Sequence, residues 1–314
     1  MTENTAVPLY AGSPPRSSPP GLRPPPPPWR VFDRPDSVPD TFRTTETMVD
    51  AVNAALTLRR PLLVTGSPGT GKSSLIESVA RQSQLGPVLR WPITSRSTVD
   101  DALYRYDVVG RVHAVQMKDE STTISDYMRL GPLGTALIPN DRPRALLIDE
   151  IDRGDIDLPN DLLNIFEHGE FEIKELARLK DPEPQYIRHA DSDDRAEIRR
   201  GRVVCTNFPF IVMTSSGDRE FTPEFLHRCI RLRMPEPTDQ QLAEIVAAHL
   251  GETAAAAATD LIDAFLQRAR KPGAVVATDQ LMNAVYMVTQ QNPGADARQR
   301  IIELILQELN SRTP

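Results

Sequence analysis

The chain has 314 residues, a quarter of them charged, with 43 Asp and Glu against 36 Lys and Arg and a formal net charge of −7. That length accommodates one sizeable α/β core plus a smaller module, and the acidic balance excludes the overall basic footprint that drives binding to phosphate backbones, so nucleic acid is not the expected partner. The two cysteines, Cys205 and Cys229, lie outside any C-x-x-C or Cys/His spacing and fit a reducing compartment. No run approaches 18 apolar residues and Met1–Tyr10 lacks a basic and an apolar region, so neither a membrane span nor a signal peptide is expected and the protein reads as cytoplasmic.

Residues 1–38 are rich in Pro, Ser and Gly, with a proline run from Pro24 to Pro28, and lack the spaced apolar residues that offset the entropy of folding. They read as a disordered tail, a spacer with polyproline II character, whose end is expected to anchor on the folded body through Trp29 and Phe32. From Thr44 a helical pattern follows, Met48, Val52 and Leu56 marking its face, up to Arg59-Arg60. Pro61–Thr65 is an apolar strand, a glycine-rich loop follows it, and Lys72–Gln84 reads as the helix onto which that loop opens. Pro87–Trp91, Ala145–Ile148 and Phe210–Thr214 supply three more strands, the last two apolar throughout as parallel strands covered on both faces must be. Strands alternating with helices predict a doubly wound parallel α/β sheet over residues 39–235. After Pro235 only helices are expected: Thr238–Leu250, Ala254–Arg270, Thr278–Gln290 and Asp296–Ser311. Thr238 and Gln241 form a capping-box pattern, and Ala284, Val285 and Val288 share one apolar face. Residues 236–314 therefore read as a small all-α domain.

Gly66-Ser67-Pro68-Gly69-Thr70-Gly71-Lys72-Ser73 matches the phosphate-loop pattern G-x-x-x-x-G-K-[ST] between a strand and a helix, the context that turns the pattern into a mechanism. Gly66, Gly69 and Gly71 admit a close backbone approach, so that successive N–H groups converge on the phosphates of ATP at a helix N-terminus, with Pro68, Thr70 and Ser74 as further members of the binding loop. Lys72 is expected on the β/γ oxygens and the Ser73 hydroxyl on Mg²⁺. Leu146–Glu150 is an apolar strand that delivers two carboxylates at its C-terminal end, where ligands bind in open α/β sheets. Asp149 is expected to hold Mg²⁺ through water and Glu150 to orient or deprotonate the attacking water. Asp152, Asp155, Asp157 and Asp161 read as the solvated start of a helix whose buried face is Leu158, Leu162, Leu163 and Phe166.

With these motifs in order, the chain resembles AAA+ ATPases of the MoxR type, with some likeness to McrB-type members, over residues 40–314. The resemblance also rests on Leu130-Gly131-Pro132-Leu133, on Asp149-Glu150-Ile151-Asp152-Arg153 where MoxR proteins carry a similar D-E-I-N-R, on Leu162–Phe171 and on Phe225-Leu226-His227-Arg228-Cys229. It implies a homo-oligomeric ring, usually a hexamer, with ATP at subunit interfaces, the helical domain as lid, and motion used to remodel a client or effector protein. It places Arg228 as the arginine finger, with Arg219 as a second candidate. It also implies that Tyr104–Leu130 and Phe171–Cys205 are insertions, the latter a hairpin around an acidic turn at Asp191–Asp194. The chain departs from the family where Ser216 stands at the first-sensor position usually held by Asn, and where Asp279 lies near the second-sensor arginine, for which Arg268 or Arg270 are alternatives. Slow intrinsic turnover follows from both departures. The leading expectation is a chaperone-like remodelling ATPase; a nucleotide-gated assembly switch and a McrB-like nucleic-acid motor using Arg195, Arg199, Arg200 and Arg202 are the alternatives.

Overall fold

A computed structural model describes residues 25–31, 42–118, 121–180, 183–269, 277–291 and 295–305. Most of the expected tail, Phe32, Arg270 and the end of the last expected helix lie outside the described residues. The chain divides into two compact units: an α/β unit of residues 43–66 and 71–234, and a unit that gathers 235–314 with the N-terminal segment and residues 67–70.

Among the described residues the α/β unit holds eleven strands: β1 Leu62–Thr65, β2 Leu89–Pro92, β3 Tyr104–Tyr106, β4 Met128–Leu130, β5 Ala145–Asp149, β6 Glu170–Glu172, β7 Gln185–Arg188, β8 Arg195–Ile198, β9 Arg202–Val204, β10 Phe210–Ser215 and β11 Ile230–Arg233. Five form a parallel sheet in the order β11-β1-β10-β5-β2. The register sets Thr65 of β1 beside Ser215 of β10 and Met213 of β10 beside Ile148 of β5, so the three central strands end along one edge. Leu62, Val64, Leu146, Leu147, Ile148, Ile211 and Val212 are all fully buried, as the continuous apolar runs require of strands covered on both faces. The edge strand β11 is the one the sequence does not announce: its Ile-Arg-Leu-Arg alternation buries Leu232 and exposes Arg231 and Arg233.

Helix Glu46–Leu58 starts at Thr45, whose hydroxyl accepts the Met48 N–H, and it buries Met48, Val52 and Ala55, with Leu56 at the margin of that face. Helix Lys72–Gln82 packs Leu75, Ile76, Val79 and Ala80 inward. The expected hairpin forms between β7 and β8 around the acidic turn, with the His189 N–H donating to the Asp194 carbonyl at 2.9 Å. The two expected insertions then meet in one four-stranded sheet, β3-β4-β7-β8, while β6 and β9 make a separate antiparallel pair. Leu130-Gly131-Pro132-Leu133 turns the chain from β4 into the short helix Pro132–Ala136, packed against helix Val99–Leu103; a Cβ on Gly131 would stand 2.2 Å from the Ala102 carbonyl oxygen.

In the helical unit, helix Asp239–Leu250 carries the capping box: Thr238 Oγ1 accepts from the Gln241 N–H and Gln241 Oε1 from the Thr238 N–H. The single helix expected over 254–270 is two, Glu252–Ala256 and Thr259–Ala269, broken at an alanine run with only one fully buried member, Ala258. Helices Thr278–Gln291 and Ala295–Ile305 follow. Ala284, Val285 and Val288 are buried with Leu242, Val246, Leu261, Phe265 and Leu281. Trp29 packs on this core, donating its indole N–H to Asn283 at 3.1 Å and meeting Tyr286 edge to face at 5.9 Å, while the Tyr286 hydroxyl donates to the Pro25 carbonyl. The expected aromatic anchor is therefore present at Trp29.

Candidate nucleotide site

The C-terminal edge of the parallel sheet gathers the residues singled out by the sequence. Gly66 leaves β1 with φ 150°, and Gly71, left-handed at φ 82°, is the N-cap of helix Lys72–Gln82. Gly71 makes no side-chain cap hydrogen bond, and the positive end of the helix dipole lies at this start, where an anion is favoured. Lys72 Nζ folds back to the Gly66 carbonyl at 2.6 Å. Burial pulls its ammonium below the ordinary lysine range, against the raising influence of Asp152, Asp149, Glu150 and Asp218. Of the loop residues between, Thr70 Oγ1 donates to the Ser67 carbonyl at 2.9 Å and Ser67 Oγ donates to Glu236 at 3.0 Å. Pro68 and Gly69 are exposed, and a Cβ on Gly69 would lie 2.6 Å from the Thr278 backbone nitrogen. Ser74 sits half-buried in the first turn of the helix.

Across the edge, Ser73 Oγ donates to Asp149 Oδ1 at 3.2 Å. The same oxygen accepts from Thr214 Oγ1 at 2.6 Å, and Thr214 Oγ1 accepts the Glu150 N–H at 2.8 Å. Thr214 lies on β10, the strand between β1 and β5, and is wholly buried, so one hydroxyl ties both carboxylate-bearing residues to the sheet. Sequence reasoning passed over it because a threonine in an apolar strand reads as a strand former. Glu150 adopts the left-handed region at φ 59°, a strained conformation for a residue with a side chain. Its carboxylate is half exposed and lies 2.8 Å from Arg153.

Ser216 directs its hydroxyl to Asp152 Oδ2 at 2.8 Å and to Asp218 Oδ2 at 2.9 Å, and its N–H to Asp152 Oδ2 at 3.0 Å. Asp152 is only 6% exposed, in contrast to Asp155, Asp157 and Asp161, which are exposed as expected for a helix start. The expectation of a solvated Asp152 is corrected here: the short turn Ile151–Arg153 folds it inward beneath Ser216.

Arg228, on helix Pro223–Arg228, pairs with Glu167 at 2.7 Å, and Arg219 donates to the Gly154 carbonyl at 2.9 Å. Asp279 is exposed in the first turn of helix Thr278–Gln291, and Arg268 faces a pocket with Asp260 and Gln299. Among the described residues no helix is long and apolar enough to cross a membrane.

A model of the AAA domain, dynein-related subfamily, matches residues 61–234, more than half of the chain. The chain belongs to that family. The matched span of this AAA protein begins just before β1 and ends just after β11, so it contains the whole parallel sheet and every residue of the edge. No curated protein matches the chain. Among solved structures it is similar to NtrX from Brucella abortus in complex with ADP, at 16% identity and a TM-score of 0.45 over 85% of this chain and 54% of that one. The same protein in complex with ATP gives 15%, 0.44, 83% and 55%, and a further NtrX structure 17%, 0.45, 82% and 53%. The chain thus spans about half the length of those structures.

The residues at the edge suit a magnesium nucleotide. Magnesium takes one or two protein oxygens and fills its octahedron with water and phosphate, and Ser73 and Asp149 offer a hydroxyl and a carboxylate oxygen 3.2 Å apart. Lys72 and the uncapped helix start supply the positive side for phosphate.

Proposed function

We propose that this AAA protein is an ATPase, a MoxR-like subunit of a homo-oligomeric, hexameric ring that remodels a partner protein. The observation that carries the reading is the contact between Ser73 and Asp149, which joins the phosphate loop to the carboxylate strand at the sheet edge. Lys72 and the N–H groups of the loop, Pro68 having none, bind the phosphates, and Ser73 and Asp149 would hold Mg²⁺, which would neutralise charge on the phosphates. Glu150 takes the proton of the attacking water. Arg228 of one subunit completes the site of the next. A protein partner is supported by helix Val108–Gln116 in the first insertion, which buries none of its residues and leaves Val109, Val112 and Val115 exposed, with Met117 just beyond it.

A second reading, an assembly switch with slow hydrolysis, is favoured by the Glu150–Arg153 pair and by the commitment of the Ser216 hydroxyl to two carboxylates. A nucleic-acid motor is disfavoured, because Arg195 pairs with Asp126, Arg199 with Glu197 and Arg202 with Glu170, leaving little free positive charge in that cluster.

The test is a pair of variants assayed for Mg-ATP binding by calorimetry and for phosphate release. Lys72→Ala removes ATP binding. Glu150→Gln keeps binding and loses turnover by about 10²- to 10⁴-fold, the usual range for a positioned acid or base. Normal hydrolysis by Glu150→Gln excludes that carboxylate as the base, and normal ATP binding by Lys72→Ala excludes the phosphate-loop assignment.

A further inference from the structure

Glu150 stands in the left-handed region at φ 59°, which disfavours a residue with a side chain, and such a conformation persists only where its surroundings over-determine it. Three hydrogen bonds do so here. The peptide between Asp149 and Glu150 is clamped on both sides: its carbonyl accepts the Ile93 N–H at 2.9 Å, just past β2, and its N–H donates to Thr214 Oγ1 at 2.8 Å. Beyond it, the Glu150 carbonyl accepts the Arg153 N–H at 2.9 Å. Two of these bonds run from backbone to backbone. The third ends on a side chain, so of the three it alone depends on which residue supplies it.

That side chain stands where the sheet runs out. The ladder between β10 and β5 extends from Phe210 beside Ala145 to Met213 beside Ile148. The Glu150 N–H, past the end of that ladder, is received by the Thr214 hydroxyl rather than by a carbonyl of β10. Thr214 is wholly buried. Valine has the same branched shape and would suit a covered strand without burying a polar group, so the hydroxyl is explained by what it bonds. It uses its one proton on Asp149 Oδ1 at 2.6 Å and a lone pair on the Glu150 N–H. Asp149 Oδ1 has a second donor in Ser73 Oγ at 3.2 Å. Loss of the Thr214 hydroxyl therefore leaves the Asp149 carboxylate partnered and strands the Glu150 N–H.

We propose that Thr214 is a positioning residue for the hydrolysis of ATP: its hydroxyl holds the Asp149–Glu150 peptide and so keeps Glu150 left-handed, with its carboxylate set for the attacking water. This assignment rests on the ATPase reading. In that reaction the water oxygen bonds to the terminal phosphorus, the bond from that phosphorus to the bridging oxygen breaks with its electron pair left on ADP, and one water proton passes to Glu150. Thr214 acts on these atoms only through Glu150. Without the hydroxyl the Glu150 backbone relaxes toward negative φ, and rotation about its N–Cα bond carries the carboxylate away from the water.

Wild type, Thr214→Val, Thr214→Ser, Glu150→Gln and the double variant of Thr214→Val with Glu150→Gln are compared in phosphate release at saturating Mg-ATP and in Mg-ATP affinity by calorimetry. Turnover by Thr214→Val is expected to fall about 10²-fold, the scale of a misplaced reactive group. Its affinity stays within about fivefold of wild type, because the phosphate loop is untouched and the lost interaction serves the transition state. Thr214→Ser keeps the hydroxyl and recovers turnover to within about threefold of wild type. In the Glu150→Gln background the valine adds no further loss, since residues that act as a unit are not additive. Wild-type turnover by Thr214→Val, an equal loss in Thr214→Ser, or a loss of affinity parallel to the loss of turnover each overturns the assignment. A full further loss in the double variant overturns it too, because Thr214 then acts through a group other than Glu150. Should Thr214→Val not fold, as read by circular dichroism, Thr214→Cys, with a weakly bonding thiol in place of the hydroxyl, is held to the same outcomes. A wild-type protein that binds ATP without hydrolysing it overturns the ATPase reading itself, and this assignment with it.

Discussion

Arg228 is already engaged within its own chain. Its guanidinium lies 2.7 Å from Glu167, and both side chains are close to half exposed. A pair that open to water is worth about 0–1 kcal/mol, so a phosphate of an adjoining subunit, charged and partly desolvated, readily outcompetes it. If Arg228 is the finger, Arg228→Ala lowers the hydrolysis rate by about 10³-fold or more while ATP affinity stays near wild type. Glu167→Gln removes the competing carboxylate and raises the rate by no more than about fivefold, the ceiling set by a pair of that strength. Steady-state rates of the two variants at saturating Mg-ATP decide the matter, and an Arg228→Ala protein with wild-type turnover sets the finger elsewhere. Arg219 offers less as a replacement, since it donates to the Gly154 carbonyl and braces the turn that follows Asp152.

At the scale of elements, the contact between helices Val99–Leu103 and Pro132–Ala136 is governed by two glycines. A Cβ on Gly131 would meet the Ala102 carbonyl oxygen at 2.2 Å, and one on Gly134 the Leu103 carbonyl oxygen at 1.9 Å. Both obstacles are backbone, which cannot swing aside as a flexible side chain does. Gly131→Ala is therefore expected to destabilise the α/β unit by about 1–3 kcal/mol or more, the range for overpacking a dense core. A urea melt followed by the fluorescence of Trp91, itself buried beside this contact in β2, reads that loss; an unchanged midpoint means the helices separate freely. The same elements mark how far the sequence reaches. The three inner strands and the phosphate loop were legible because burial on both faces forces continuous apolar runs and because the loop matches a full glycine-rich pattern, and the edge strand β2 was read as well. β11 was not, since an edge strand alternates and its pattern is too short to stand out. That β3 and β4 pair with β7 and β8 was hidden as well, because no local period records which distant strand is a partner. In the site, Lys72, Ser73 and Asp149 follow from motif spacing, whereas the contacts of Thr214 depend on β10 lying between β1 and β5, and the burial of Asp152 on a turn that folds it inward, both tertiary outcomes.

For the molecule as a whole, the remaining question is whether one chain is a complete enzyme. Everything that binds the phosphates and the metal in the proposed reading comes from one sheet edge, but the positive charge expected to stabilise the terminal phosphate is Arg228, paired with Glu167 on helix Leu158–His168 of its own chain. An arginine that acts on a neighbour makes activity a property of the assembly. Specific ATPase rate is then expected to climb with protein concentration and to saturate once rings are filled, and a mixture of Glu150→Gln with Arg228→Ala is expected to recover part of the rate that each lacks alone. Recovery follows because a Glu150→Gln subunit lends an intact arginine to an Arg228→Ala subunit with an intact base. A rate that is flat over the concentrations spanning monomer to oligomer in analytical ultracentrifugation, with no recovery on mixing, means that each chain completes its own site, and the ring then serves the partner protein rather than the chemistry.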